Sequence, residues 1–298
     1  MRAIRNLVLC SLTAIVLFTL LYPIYASRTA VNQAEANPLS SAFTEVAAGD
    51  ARAGSIAPAA SAAPNAARPD HIVIVVEENH SYGEIAGNTN APYMNHLMKV
   101  GATLANHFAI EHPSQPNYID LFSGSNQGVT DDKPNHKLNG DNLAAELIKH
   151  GFTFGGYSEG LPRVGYTGPY DLKTSYARKH NPWVDFKNVK ASANMPFSSF
   201  PKDYDKLPTV SFVIPNLKHD IHDGTIKQAD DWLRANLSGY VNWAAKHNSL
   251  LILTWDEDDL SAHNKIPTVL VGPMVKSQTY VKETNHYSVL RTIEDLYG

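Results

Sequence analysis

Cysteine is almost absent from this chain. The only one, Cys10, sits inside an apolar run near the N-terminus. Everything after that run therefore lacks disulfides and thiol chemistry. Basic blocks are missing too. Lys and Arg number 25 against 29 Asp and Glu, a net charge of −4. That balance excludes nucleic acid and anionic membrane surfaces as expected partners. No internal repeat is visible. The histidines are distributed unevenly: all 13 lie after residue 70.

The N-terminus has its own character. Arg2 and Arg5 precede an apolar run from Leu7 to about Tyr25, followed by Ala26-Ser27. A basic start, an apolar middle and small residues next form a secretory signal. An uncleaved anchor is the rival, because roughly 20 apolar residues span a bilayer. Either way, residues 1–27 direct the remainder out of the cytoplasm, to the periplasm or beyond. Membrane contact is expected only through such an anchor. Residues 28–68, rich in Ala, Ser, Pro and Asn, offer little to bury and are expected to form a flexible linker. The domain is expected over 69–298, long enough for one large core.

Within it, apolar β-branched runs recur: HIVIVV (71–76), FTFGGY (152–157), TVSFVI (209–214), LLILTW (250–255) and PTVLVG (267–272). Helical patterns separate them, several ending on Gly. Continuous rather than alternating strands between helices predict an α/β fold: a mostly parallel central sheet with helices on both faces. Residues 158–208 are irregular and are expected to form an insertion or lid.

Ligands of such sheets sit beyond the carboxyl ends of the strands. There the sequence places EENHS after 71–76, PNLKHDIHDG after 209–214 and DEDD after 250–255. Four carboxylates at the mouth of an apolar strand repel one another unless a cation joins them. Glu78, Asn79, Asp256 and Glu257 form an oxygen set suited to Mg²⁺, Mn²⁺ or Ca²⁺, with Zn²⁺ if imidazoles join. In HPSQPNY (112–118), two prolines restrict the backbone around Ser114. A metal-held Ser114 hydroxyl is a nucleophile that needs no histidine base. His222, with Asp223 beside it, can clamp a phosphoryl group or protonate a leaving group. Asp223 can equally cap the next helix. His286 stands at the start of the last helix, where anions are favoured.

A competing pattern is GYSEG (156–160), which matches the nucleophile elbow G-x-S-x-G. Ser158, Asp256 and His286 follow in the chain order of a serine esterase. The elbow requires a helix directly after the serine. Leu161-Pro162, Gly165, Gly168 and Pro169 oppose one.

In order, EENHSYGEI, HPSQPNYIDLFSG, RKHNPW, PNLKHDIHDG, LTWDED and NHYSVLRTIEDLYG resemble the phosphoesterase family of bacterial and fungal acid phosphatases and phosphatidylcholine-type phospholipases C. That family belongs to the alkaline phosphatase-like superfamily. The resemblance spans residues 70–298. It implies one divalent metal on Glu78, Asn79, Ser114, Asp256 and Glu257, with Ser114 as nucleophile. It implies that His222 and His286 stand near the phosphoryl group. Asn117, His112 and His180 are implied more weakly as substrate-binding residues. The expected activity is hydrolysis of a small phosphate monoester through a phosphoserine. A phospholipase C-type diesterase, the Ser158 esterase and a non-catalytic metal-binding module are the alternatives.

Overall fold

A computed structural model describes residues 37–43 and 68–298 of the chain. The N-terminal apolar run lies outside the described residues, so the signal and the anchor are not distinguished. Among the described residues no helix is long and apolar enough to cross a membrane.

Eight strands form the main sheet: β1 (His71–Glu77), β2 (Ala102–Leu104), β3 (Phe154–Ser158), β4 (Asn194–Pro196), β5 (Val210–Ile214), β6 (Ser249–Trp255), β7 (Thr268–Val271) and β8 (Gln278–Tyr280). Their spatial order is β8-β2-β7-β6-β1-β5-β3-β4. Only β7 runs against the rest, antiparallel to both β6 and β2. β1 lies in the middle, with Ile72 opposite Val210 on one side and Leu250 on the other. This position explains its unbroken apolar run, since both faces of a central strand are covered.

Helices cover the two faces. Ile72, Ile74 and Val76 pack with residues of α3 (Ser114–Ser123), α4 (Leu143–Lys149) and α6 (His286–Tyr297). Val73 and Val75 point the other way, toward α2 (Pro92–Val100) and α5 (Ile226–Ala244). α1 (Tyr82–Ile85) is a single turn after β1. Helix starts follow their caps: Thr225 and Asn285 each form a capping box. At α4 the cap is Asn142. The Asn142 side chain accepts from the Ala145 N–H at 3.0 Å.

The linker expectation fails for residues 37–43. Ser40–Ala42 form a 3₁₀ turn, and Leu39, Ala42 and Phe43 are buried against the α6 side of the core. Asn37 Nδ2 donates to Thr292 Oγ1 and to Asp295 Oδ2 at 3.1 and 2.9 Å. The Lys276 N–H donates to the Ala42 carbonyl at 2.9 Å. Two apolar side chains spaced four apart are enough to dock a short segment when a groove awaits them. The 158–208 segment also exceeds a lid. Trp183 and Phe186 enter the core, and Arg178, His180 and Asn181 are buried.

Candidate active site

The carboxyl ends of β1, β5 and β6 lie side by side, and the polar residues after them meet there. Glu78 leaves β1, and its N–H donates to the Asp220 carbonyl beyond β5. The Asp256 N–H donates to the Glu77 carbonyl across the β1/β6 pair at 3.0 Å. Sheet register thus brings Glu78, Asp220 and Asp256 to one edge. Asn79 turns the chain away at φ 39°. Its N–H donates to Asp256 Oδ1 at 3.2 Å, and its Nδ2 to Glu257 Oε1 at 3.0 Å.

Ser114 is the first residue of α3, not part of an open loop, and it is buried. Its Oγ lies 3.0 Å from Glu257 Oε1 and 3.3 Å from Glu78 Oε2. A helix N-terminus carries partial positive charge and favours an incoming phosphate. Gln115 fixes this turn: its N–H donates to Asp132 Oδ1 and its side chain to Asp185.

Two carboxylates therefore flank one hydroxyl, and Asp256 stands with them through Asn79. Burial, Glu78 and Glu257 together raise the Asp256 pKa well above the ordinary range. Glu257 is raised too, by burial and then Glu78. Glu78 behaves oppositely. Burial pushes it up, but His180, Lys179 and His222 outweigh that and hold it at about 2. Asn79 Oδ1 and Asp256 Oδ2 are buried without hydrogen-bond donors. Orphan oxygens facing like charge are the chemistry of a hard-cation site, so the residues present fit the expected metal.

His180 is buried with Nε2 2.5 Å from Glu78 Oε1 and Nδ1 3.2 Å from Asp220 Oδ2. Its ring stacks on Tyr118 at 5.0 Å. Burial opposes its charge, but Glu78 and Asp220 raise its pKa to about 9. His222 sits on the turn after β5, where Ile221 takes φ 82°, a strained value for a β-branched residue. Gly224 closes the turn; a Cβ there would meet the Lys218 carbonyl at 1.8 Å. His222 Nδ1 bonds Asp223 Oδ1 at 2.8 Å, and its Nε2 lies 3.5 Å from Lys179 Nζ.

Lys179 went unnoticed in the sequence. Its ammonium reaches Asp132 at 3.0 Å and, despite the cost of burial, is held charged by Glu78, Asp132 and Asp256. The only available signal was its place before His180 in RKHNPW.

Three expected roles change. Asn117 is spent internally. Its Oδ1 accepts from the Ile110 and Glu111 N–H groups, and its Nδ2 donates to the Glu111 and Pro113 carbonyls. It braces the loop before Ser114 and has no group left for substrate. His286 is fully buried behind the site, with Nε2 bonded to the Asp256 carbonyl at 2.8 Å. Burial drives its pKa down to about 4, so it is neutral and positions Asp256. His112 bridges two acids, with Nδ1 2.5 Å from Glu257 Oε2 and Nε2 3.5 Å from Asp258 Oδ1. The DEDD run divides accordingly. Asp256 and Glu257 enter the site. Asp258 accepts from the Leu260, Ala262 and Asn264 N–H groups and shapes a loop. Asp259 is exposed. Ser158 ends β3 hydrogen-bonded to Asn181 Oδ1 at 2.9 Å, with no helix following and its hydroxyl on an amide rather than an imidazole. The esterase elbow fails on geometry.

A family model described as "Phosphoesterase family" matches residues 88–298. The chain belongs to the Phosphoesterase family. A phosphatidylinositol-3-phosphatase of Mycobacterium tuberculosis is 52% identical over 245 residues, covering 80% of each chain. A phosphate-repressible acid phosphatase of Penicillium chrysogenum is 33% identical, over 77% of this chain and 59% of the relative. An Aspergillus fumigatus acid phosphatase is 31% identical, over 74% and 53%. The chain spans little more than half the length of these fungal phosphoesterases. Among solved structures, an alkaline phosphatase superfamily protein of Vibrio parahaemolyticus aligns with TM-score 0.52 at 13% identity, over 78% of this chain and 67% of that one. The lipoteichoic acid synthase LtaP of Listeria monocytogenes gives 0.54 at 9%, over 78% and 72%. These structural likenesses show the alkaline phosphatase-like fold. As a member of the Phosphoesterase family the chain is a hydrolase of phosphoric ester bonds.

Proposed function

We infer that this phosphoesterase is an exported, metal-dependent phosphatase that cleaves phosphate monoesters through a phosphoserine at Ser114. The observation that carries this reading is the Ser114 hydroxyl at the first turn of α3, between Glu78 and Glu257. Glu78, Asn79, Ser114, Asp256 and Glu257 would hold one divalent ion of the Mg, Mn, Ca or Zn type. Among the described residues no group of three His, Cys, Asp or Glu side chains is already gathered as a metal site, and the reading rests on the orphan oxygens of Asn79 and Asp256. The ion would supply positive charge that lowers the serine pKa and offsets charge on the phosphoryl oxygens.

The protein's own groups do the rest. Ser114 Oγ passes its proton to Glu257 Oε1, 3.0 Å away, and attacks phosphorus in line, forming Oγ–P as the bond to the leaving oxygen breaks. Lys179 and His222 face the transferred phosphoryl oxygens as donors. His222 would serve as the donor of a proton to the departing alkoxide. Water then attacks the phosphoserine, releasing phosphate and restoring the hydroxyl. His180 stays behind Glu78 as a fixed cation and keeps that carboxylate ionised and aimed.

The 52% identical relative makes a phosphorylated inositol lipid a leading substrate to test beside small soluble monoesters. Export rests on Arg2, Arg5 and the apolar run from Leu7. The deciding experiment is a panel of phosphomonoesters, phosphodiesters and phosphocholine lipids, run on metal-stripped and metal-restored enzyme. Turnover of monoesters alone, restored by metal, supports the reading. Preference for diesters would replace it with the phospholipase C-type alternative.

A further inference from the structure

A cavity of about 430 Å³, open to solvent, is lined in part by the 131–137 loop, whose Asp132 accepts from the Gln115 N–H. Asn135, His136, Lys137, Arg178, Asp185 and Lys187 line it. Its charges do not cancel. The buried Arg178 and Asp185 neutralise each other at 2.7 Å. Among the described residues Lys137 and Lys187 have no carboxylate partner, and both are exposed. Asp131, the acid nearest in sequence, is occupied by Lys133 at 2.5 Å. Its other oxygen lies 3.5 Å from His136 Nε2, too far for a firm bond. Two ammonium groups without carboxylate partners and an imidazole thus stand among the lining of a cavity that Val184 and Phe186 also line.

The two walls are fixed to each other. The Leu138 N–H donates to the Asp185 carbonyl at 2.8 Å, and the Lys187 N–H to the Leu138 carbonyl at 3.0 Å. Arg178 Nη1 donates to Asn135 Oδ1 at 2.7 Å. The floor is also tied to the active site. Asp185 accepts from Gln115, which follows Ser114, and Arg178 precedes Lys179. Asp132, on the same loop, bonds both Lys179 and the Gln115 N–H.

We propose that this cavity is a second anion subsite, which takes a phosphate group other than the one attacked by Ser114. The proposal rests on the phosphatase reading above. A ligand with a phosphate monoester and a further phosphate, such as a phosphorylated inositol lipid with its diester, presents one group to each site. Free phosphate has the same chemistry and is the other source. Lysines are suited to this task because each acts as a rotatable point charge with three donors.

The test uses the full chain with Lys137→Ala and Lys187→Ala combined, at low salt. Substrates are p-nitrophenyl phosphate, with one phosphate, and a short-chain phosphatidylinositol 3-phosphate, with two. Calorimetric titration of inorganic phosphate into Ser114→Ala, with and without the lysine changes, counts sites. A KM for the inositol lipid raised roughly five- to tenfold, with p-nitrophenyl phosphate unchanged, supports a subsite for the substrate's own second phosphate. That effect should shrink at high salt, and Lys137→Arg with Lys187→Arg should restore the low KM. Loss of a second phosphate-binding event, with both substrates unchanged, supports a subsite for the free anion. No change in either measurement overturns the proposal. An equal fall on both substrates also overturns it, because the lysines would then serve the reaction in general. Failure of the unmodified enzyme on both substrates would instead remove the phosphatase reading itself.

Discussion

His180 Nε2 lies 2.5 Å from Glu78 Oε1, and both side chains are buried. The other imidazole nitrogen faces Asp220. One cation therefore holds apart two acids that arrive from different strands. Removing it leaves both carboxylates buried without their shared cation. His180→Ala should cost about 3–5 kcal/mol of stability. Urea denaturation of the metal-free protein measures it; a loss below 1 kcal/mol would show that the acids protonate at little cost.

Ser114→Ala should lower kcat on a phosphate monoester by several orders of magnitude, leaving some catalysis from the surrounding charges. Labelled phosphate trapped at low pH should map to the Ser114 peptide. Ser158→Ala should behave like an ordinary buried substitution and retain turnover. An unlabelled Ser114 peptide together with a dead Ser158→Ala enzyme would reverse the assignment.

Chelation should abolish turnover and lower Tm, because a ligand bound only by the folded state stabilises it. Asp256→Ala should weaken metal binding in a titration. Hydrolysis at an unchanged rate after exhaustive chelation rules out the metal.

Asp120 on α3 offers a pH test away from the oxygen cluster. Burial raises its pKa to about 7, opposed by a hydrogen bond from Tyr287 at 2.7 Å and helped by the nearby Glu111. A folded pKa above the unfolded one means that the group's contribution is complete below about 3.8. It is lost as pH rises through about 7. Asp120→Asn keeps an uncharged side chain throughout. The variant should match the wild type near pH 4 and exceed its Tm at pH 8. Parallel Tm curves across that range contradict this account.

The 37–43 segment should contribute measurably. Phe43 is 5% exposed and belongs to the core. Phe43→Ala should cost about 3 kcal/mol. A chain beginning at Arg68 should melt lower than one beginning at residue 36. Equal melting temperatures would show that the docked turn is decorative.

The legible part of this molecule was the part that follows from periodicity and strand ends. Unbroken apolar runs announced a buried parallel sheet, and the ligands after three strands announced one edge. A helix stop on Gly was also readable, as at Gly101, whereas the caps at Asn142 and Asn285 were not. What escaped was decided by tertiary contact. Asp256 and Asp258 have the same side chain two positions apart, yet one joins the cluster and the other ties a loop. Only the exit direction of the chain separates them. Asn117 has the polarity of a substrate ligand, and its four hydrogen bonds to backbone are invisible until the loop is built. Lys179 looked like any surface lysine beside a more interesting His180. Residues 37–43 were hidden because two apolar side chains in a polar stretch carry no period.

The position of β1 also sets the order in which this protein can form. It is the first strand of the domain, yet it pairs with residues 210–214 and 249–255 on its two sides. Its hydrogen-bonding partners lie well over 100 residues away along the chain. During synthesis, HIVIVV emerges as a sticky apolar ribbon with both edges open, and it waits for most of the polypeptide. No shortened intermediate can hold Glu78 against both Asp220 and Asp256. Regain of enzyme activity after denaturation is therefore a late signal, arriving with the last long-range pairing rather than with the first collapse.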